Sequence, residues 1–264
     1  MISGGVATNC VAVGNLRCLW PEIEFFVPPA PGDSGTSIGA ATACLLRRHG
    51  ELAQVPTHPY WGPVPEMPKL GDPVRAQFRF VGMSPTDLAI MCALRLAEGQ
   101  IVALYRERAE AGPRALGHRS ILADPRVEGI QHRLALQVKK RELFRPFAPI
   151  TKLAHADRYV ELGGYGTPYM SVALRARPEL RRLAPVVVHT NGTARLQTVG
   201  AGAEMFIEAV LNEFERITGS SVLINTSLNP KGLPTVGTWE DALACLTSMD
   251  LDALVLGDEL VTRY

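Results

Sequence analysis

The sequence predicts an α/β protein, and three observations lead there. Apolar runs of strand length (residues 101–105, 222–224 and 253–256) lie between stretches of helical periodicity (86–97, 204–218 and 239–248). The runs are apolar nearly throughout, as in strands covered on both faces. A polar stretch, residues 225–229, follows directly on one of them, where α/β sheets place ligands.

Residues 3–10 (Ser-Gly-Gly-Val-Ala-Thr-Asn-Cys) read as a glycine turn entering a helix with Val13 and Leu16 on its apolar face. Residues 24–27 read as a short strand, 28–35 as a loop holding Gly-Asp-Ser-Gly, and 36–48 as an Ala-rich helix. Residues 54–83 carry Pro56, Pro59, Pro63, Pro65, Pro68 and Pro73, too many missing N–H donors for regular structure. Ser84-Pro85 caps the helix 86–97, which Gly99 ends before the strand 101–105. Asp124-Pro125 reads as the start of another helix, with Val127, Ile130, Leu134 and Val138 inward and its end before Pro146. Residues 151–162 read as a helix, 163–166 as a glycine loop, and 170–174 and 184–189 as strands. The helix 204–218 turns Phe206, Ile207, Val210, Leu211 and Phe214 inward and is closed by Gly219.

At 264 residues, 47% of them hydrophobic, the chain can bury a core and form one or two domains. Lys and Arg total 27 against 26 for Asp and Glu, which argues against a nucleic-acid binder and leaves room for a local basic pocket. Cys10, Cys18, Cys44, Cys92 and Cys245 have no metal-type spacing and read as buried thiols of a reducing compartment. Neither a signal peptide nor a membrane-length apolar run is present, so the chain reads as soluble and cytoplasmic, with no membrane partner.

The chemistry concentrates in residues 112–149. Gly-Pro-Arg-Ala-Leu-Gly-His-Arg-Ser (112–120) puts Arg114 and Arg119 in a glycine-punctuated loop, and Val-Lys-Lys-Arg-Glu-Leu-Phe-Arg-Pro-Phe-Ala-Pro (138–149) gathers Lys139, Arg141 and Arg145 at a helix end. Cations beside glycines that admit close backbone suit a ligand with several phosphates. Taken singly, each of these cations is equally an ordinary charge near a helix C-terminus. The two blocks together resemble the C-terminal domain of the O-carbamoyltransferases, the family of nodulation-factor and antibiotic carbamoylating enzymes. Asn-Thr-Ser-Leu-Asn (225–229) and Asn-Gly-Thr-Ala-Arg-Leu-Gln-Thr-Val (191–199) extend the likeness.

The resemblance implies a YrdC-like C-terminal domain with a twisted mixed sheet (84–264), a Pro-rich linker (56–83) and, before it, the end of an actin-like, sugar-kinase-type α/β domain (1–55). It implies that carbamoyl phosphate and ATP, with Mg²⁺, give carbamoyl adenylate, from which a hydroxyl-bearing small molecule is carbamoylated. The implied ligand set is Arg114, Lys139, Arg145, Arg195 and Asn225, with Arg119 and Arg141 supporting it. Gly4, Gly5 and Asn9 form the turn that approaches the adenylate, and Asp33 is one ligand of a metal site. The family's His-x-x-x-His pair has no counterpart among His49, His58, His118, His132, His155 and His189. The chain therefore reads as a truncated or split gene product. Fe²⁺ or another divalent metal is expected only with a partner chain carrying the missing N-terminal half. Glu107 stands where relatives have glycine, Asn191 replaces an Asp, and Leu233 replaces a Glu. These departures keep a non-catalytic remnant open beside the enzyme. A YrdC-like RNA-binding or tRNA threonylcarbamoylation-type protein is the other alternative. No residue in the sequence presents itself as a general base.

Overall fold

The computed structural model describes residues 1–51 and 58–264; the expected domain boundary at 55/56 and the first residues of the expected linker lie outside them. Two helices open the chain, α1 (Cys10–Leu19) and α2 (Thr36–His49), the first capped by Asn9, whose Oδ1 accepts from the Ala12 N–H. Strand β1 (Arg79–Gly82) and helix α3 (Pro85–Ala97) follow, Ser84 capping the helix through the Asp87 N–H as its sequence suggests. Next come β2 (Val102–Tyr105), β3 (Arg119–Ala123) and the short helix α4 (Ile130–His132), which widens into a π-helical turn, Arg133–Val138. Strand β4 (Ala148–Lys152), helix α5 (Leu153–Tyr159), strand β5 (Leu174–Arg175), helix α6 (Pro178–Leu183) and strands β6 (Thr193–Ala194) and β7 (Gln197–Val199) lead to helix α7 (Met205–Thr218). The chain closes with β8 (Leu223–Ser227), α8 (Trp239–Ser248), β9 (Ala253–Leu256) and β10 (Glu259–Thr262).

Eight strands form one mixed sheet in the order β1-β10-β9-β2-β3-β8-β4-β7, while β5 and β6 pair separately. The β2–β9 and β4–β7 pairs are parallel and the other pairs antiparallel. Side chains alternate between the faces: Val102 and Leu104 pack with α3 and α7, whereas Ala103 and Tyr105 pack on the side of α8. That two-sided burial explains why the central strands are apolar throughout. The polar end of β8 emerges from this core at Asn225, Thr226 and Ser227.

Several expected elements take another form. Residues 124–129 are turns, because the Asp124 carboxylate accepts from Arg126 N–H and its guanidinium, and Gly129 adopts φ +76° before α4 begins. Residues 148–152 are strand before α5 starts, drawn into the sheet between β8 and β7. Residues 185–187 form a 3-10 turn instead of a strand, Pro185 supplying the helical φ at its start. Residues 24–27 have no strand partner, although the Ile2 N–H donates to the Phe26 carbonyl at 2.8 Å. Of 170–174 only Leu174 is in a strand. Within the expected linker, Arg79–Gly82 pairs with β10, so regular structure does resume there once the prolines end. Cys92 and Cys245 are buried, but Cys18 and Cys44 are exposed and Cys10 is half-buried, so thiol burial is not general. Among the described residues no helix is long and apolar enough to cross a membrane.

Candidate functional site: a basic cavity at the end of β8

The Gly112–Ser120 block forms a loop curled around one carboxylate. Glu110 Oε1 accepts the N–H groups of Leu116 (2.7 Å), His118 (2.9 Å) and Arg119 (3.2 Å). Gly112 sits at φ +106°, and a Cβ there would lie 2.2 Å from the Pro29 carbonyl oxygen, so glycine is required. Arg119 is buried, lies over the Tyr105 ring at 3.9 Å, and donates to the carbonyls of Arg106, His118 (3.0 Å) and Glu107 (3.1 Å). With Arg119 tied into the loop's own backbone, Arg114 is the guanidinium this loop offers outward; it donates to the Thr8 carbonyl at 3.3 Å.

A second wall comes from the segment after the π-helical turn. The Arg141 N–H closes that turn on the Ala135 carbonyl at 2.8 Å, and its guanidinium lies 4.2 Å from the Phe147 ring centre. Arg145 is more open to solvent, its nearest carboxylate being Glu142 at 3.8 Å. The floor is Asn225 on β8, whose Nδ2 donates to Gln197 Oε1 (2.6 Å) and to the Ala115 carbonyl (3.1 Å). These bonds fix the amide, and its Oδ1 is left buried with no hydrogen-bond partner. Arg195, between β6 and β7, completes the enclosure.

Arg114, Arg141, Arg145, Arg195, His189 and Asn225 thus line one cavity of about 340 Å³, and no carboxylate is among its lining residues. The electrostatics follow from that composition. Burial above all, then the charge of Arg114 and, further off, Arg141 and Arg145, push the Arg195 guanidinium down to about 10. Burial and then Arg145 bring Arg141 down to about 10, and burial lowers Arg114 as well. The Nε atoms of Arg141 and Arg195 are buried without acceptors. A buried polar group left unpaired costs about 1–3 kcal/mol. An anion in this cavity would offset the mutual repulsion of the guanidiniums.

Of the residues expected to bind ligand, Arg114, Arg145, Arg195 and Asn225 converge here, and Arg141 joins them on the wall rather than behind it. Lys139 lies behind the wall: its Nζ donates to the Ser227 carbonyl (2.8 Å), the Asn229 carbonyl (2.8 Å) and Asn229 Oδ1 (2.7 Å). Burial first, then Arg141, pushes its ammonium down to about 8. Gly4 and Asp33 line a different, largely apolar cavity of about 760 Å³ against α2, while Gly5 opens a 3-10 turn and Asn9 serves as the α1 cap. Among the described residues no group of three His, Cys, Asp or Glu side chains is placed to hold a metal ion, so Asp33 stands without companion ligands among them. Sequence reasoning missed two participants. Glu110 carried a signal only as a retained motif residue, and His189 none beyond its place before Asn-Gly-Thr.

Comparison with known proteins gives a consistent result. A family model described as "Carbamoyltransferase C-terminus" matches residues 93–263, and one described as "Carbamoyltransferase N-terminus" matches residues 1–42. The chain is 36% identical over 273 residues to nodulation protein NolO of Bradyrhizobium diazoefficiens, covering 99% of this chain and 49% of that protein. It is 37% identical over 264 residues to nodulation protein U of Rhizobium tropici, covering 99% of this chain and 43% of that one. The chain spans about half the length, or less, of the curated relatives it matches. Among solved structures, full-length HypF in its phosphate- and nucleotide-bound form aligns with a TM-score of 0.48 at 19% identity, over 70% of this chain and 23% of that one. YciO of E. coli aligns with a TM-score of 0.45 at 13% identity, over 67% of this chain and 89% of that one.

Proposed function

This chain belongs to the carbamoyltransferase family, and from that premise we propose that its basic cavity forms carbamoyl adenylate from carbamoyl phosphate and ATP. The observation that carries the reading is the convergence of four guanidiniums on one cavity that no carboxylate lines. Carbamoyl phosphate offers its phosphate oxygens to such donors, and Thr226 and Ser227, which also line the cavity, are residue types able to accept from its NH₂ group. Two phosphorylated reactants repel each other, and fixed guanidinium forks supply both the charge and the orientation to hold them in register. Charge developing on the transferring phosphorus is stabilised by the same groups. Mg²⁺ fits this cavity only as the counterion ATP brings, because no carboxylate lines it. The adenylate's carbamoyl group would then pass to a hydroxyl-bearing small molecule, a step for which the described residues supply no metal site.

Incubating the chain with ATP, carbamoyl phosphate and Mg²⁺ and measuring pyrophosphate tests the reading. Release that depends on carbamoyl phosphate, and falls at least ~100-fold in Arg114→Met and Arg195→Met, is expected. A wild-type chain that neither releases pyrophosphate nor binds inorganic phosphate refutes it.

A further inference from the structure

Adenylate formation includes a water attack that a proton acceptor would accelerate, and the cavity lining contains a histidine. Carbamoyl phosphate and ATP yield carbamoyl adenylate, pyrophosphate and phosphate only if one water is consumed. The water oxygen bonds to the phosphorus of carbamoyl phosphate while the bond from phosphorus to the carbamoyl oxygen breaks, and carbamate departs with the electron pair. A carbamate oxygen then bonds to the α-phosphorus of ATP, expelling pyrophosphate. The water attacks more readily if its proton is taken as the bond to phosphorus forms, and the permanently charged guanidiniums of the wall cannot take it.

We propose that His189 Nε2 takes that proton, as the general base of the step in which carbamoyl phosphate is cleaved. The inference rests on the adenylation reading and assigns a role that reading leaves empty. Its geometry is a hydrogen-bonded relay. The Thr193 N–H donates to Asn191 Oδ1 at 3.1 Å, which fixes the Asn191 amide oxygen as an acceptor. Thr193 Oγ1 donates its own proton to that oxygen at 2.8 Å. Having spent its proton there, the hydroxyl accepts from His189 Nδ1, 3.0 Å away. Nδ1 therefore carries the hydrogen of the neutral ring, and Nε2 keeps a lone pair with no hydrogen-bond partner among the described residues. The ring lines the cavity with Arg114, Arg141, Arg145 and Arg195 and meets no carboxylate there. Burial first, then the charge of Arg195, lowers the His189 pKa from its ordinary value, so the base form predominates at neutral pH. Asn191, which replaces the family's Asp, still serves as the terminal acceptor but adds no negative charge to raise that value.

Phosphate release from carbamoyl phosphate in the presence of ATP and Mg²⁺, followed from pH 5 to 9, separates the outcomes. For wild type, kcat/KM rises with pH through a value below the ordinary histidine range. His189→Asn removes that limb and lowers the rate by ~10²–10⁴-fold at saturating carbamoyl phosphate. A His189→Asn chain with wild-type rate and pH profile overturns the inference and leaves adenylation standing. A wild type that binds no phosphate and cleaves no carbamoyl phosphate overturns the adenylation reading instead, and this role with it. ¹⁵N spectra of the imidazole give a test independent of turnover: a proton on Nε2 rather than Nδ1 refutes the relay, and Thr193→Val should mix the two tautomers.

Discussion

Arg195→Met should make the ligand-free protein more stable and its stability less responsive to phosphate. The Arg195 guanidinium is pushed down from its ordinary value to about 10, foremost by burial and next by Arg114. The native state therefore binds this proton less tightly than the unfolded chain does. For such a depressed base the penalty is fully present below the folded value and vanishes as pH rises through the unfolded one. At neutral pH it amounts to about 3 kcal/mol. Methionine keeps an apolar stem and removes the charge, so with partial access of solvent to the cavity a gain of about 1–3 kcal/mol is expected in urea unfolding without phosphate. Phosphate narrows that difference. At 100 times its Kd it stabilises the wild type by about 2.7 kcal/mol. Losing one charge-assisted hydrogen bond of about 1.5–3 kcal/mol weakens binding by roughly 10- to 100-fold in the variant. Paired unfolding curves with and without phosphate, at unchanged m-value, are the assay. A variant less stable than wild type without phosphate, or one with an undiminished response to it, refutes the electrostatic account of the cavity.

Glu107 adopts φ +37°, and its side chain is 63% exposed with only a 3.9 Å contact to Arg106. A non-glycine residue there costs about 1–2 kcal/mol and glycine's extra unfolded freedom about 0.5–1 kcal/mol. Glu107→Gly should therefore gain roughly 0.5–1 kcal/mol in urea unfolding; a loss shows that the side chain matters more than the backbone. His118 gives a pH test: burial alone lowers its pKa, but Glu204 at 3.4 Å, the Arg108 carbonyl at 2.6 Å and Glu110 more than reverse this, leaving it raised. The stabilisation is fully present below the unfolded histidine value and fades as pH rises through the folded one. Unfolding free energy measured across that window should decline in the wild type, and His118→Gln should flatten the slope.

The parts of the fold readable from the sequence are those whose stabilisation is local. Helices α3 and α7 announce themselves through Ser84, an inward stripe of Leu and Phe, and Gly219, which adopts the left-handed φ +71° expected of a C-terminal cap. Strand β3 was hidden because its first residue is a buried arginine, and Arg119-Ser120 reads as loop until its carbonyl partners and Tyr105 are in view. Edge strand β1 pairs with β10 across the chain's length, a pairing that no local pattern encodes. The candidate site divides the same way. The motif blocks mark Arg114, Arg145 and Arg195 as neighbours, but which cations face the cavity depends on acceptors contributed elsewhere. Lys139 is turned inward by the carbonyls of Ser227 and Asn229, while Arg141, one residue beyond Lys140 at φ +46°, swings out onto the wall.

The cavity also depends on the segment that matches the family's N-terminal model. Arg114 is steadied by the Thr8 carbonyl, and the turn at Gly112 is pressed against Pro29. Helix α1 lies close enough to the residue preceding β5 that a Cβ on Gly14 would meet the Ala173 carbonyl oxygen at 1.9 Å, and the Ala173 N–H donates to the Cys10 carbonyl at 2.8 Å. Arg17 reaches across to the Leu162 carbonyl at 2.8 Å. Five contacts of this kind, spread over α1 and the loops on either side of it, are more than a passing linker makes. Residues 1–35 therefore act as a brace on the basic cavity, and a change at the Gly14–Ala173 contact should be felt at Arg114 although neither residue lines the cavity. The two family segments meet in this chain as one packed unit, and the positions of the guanidiniums are a property of both.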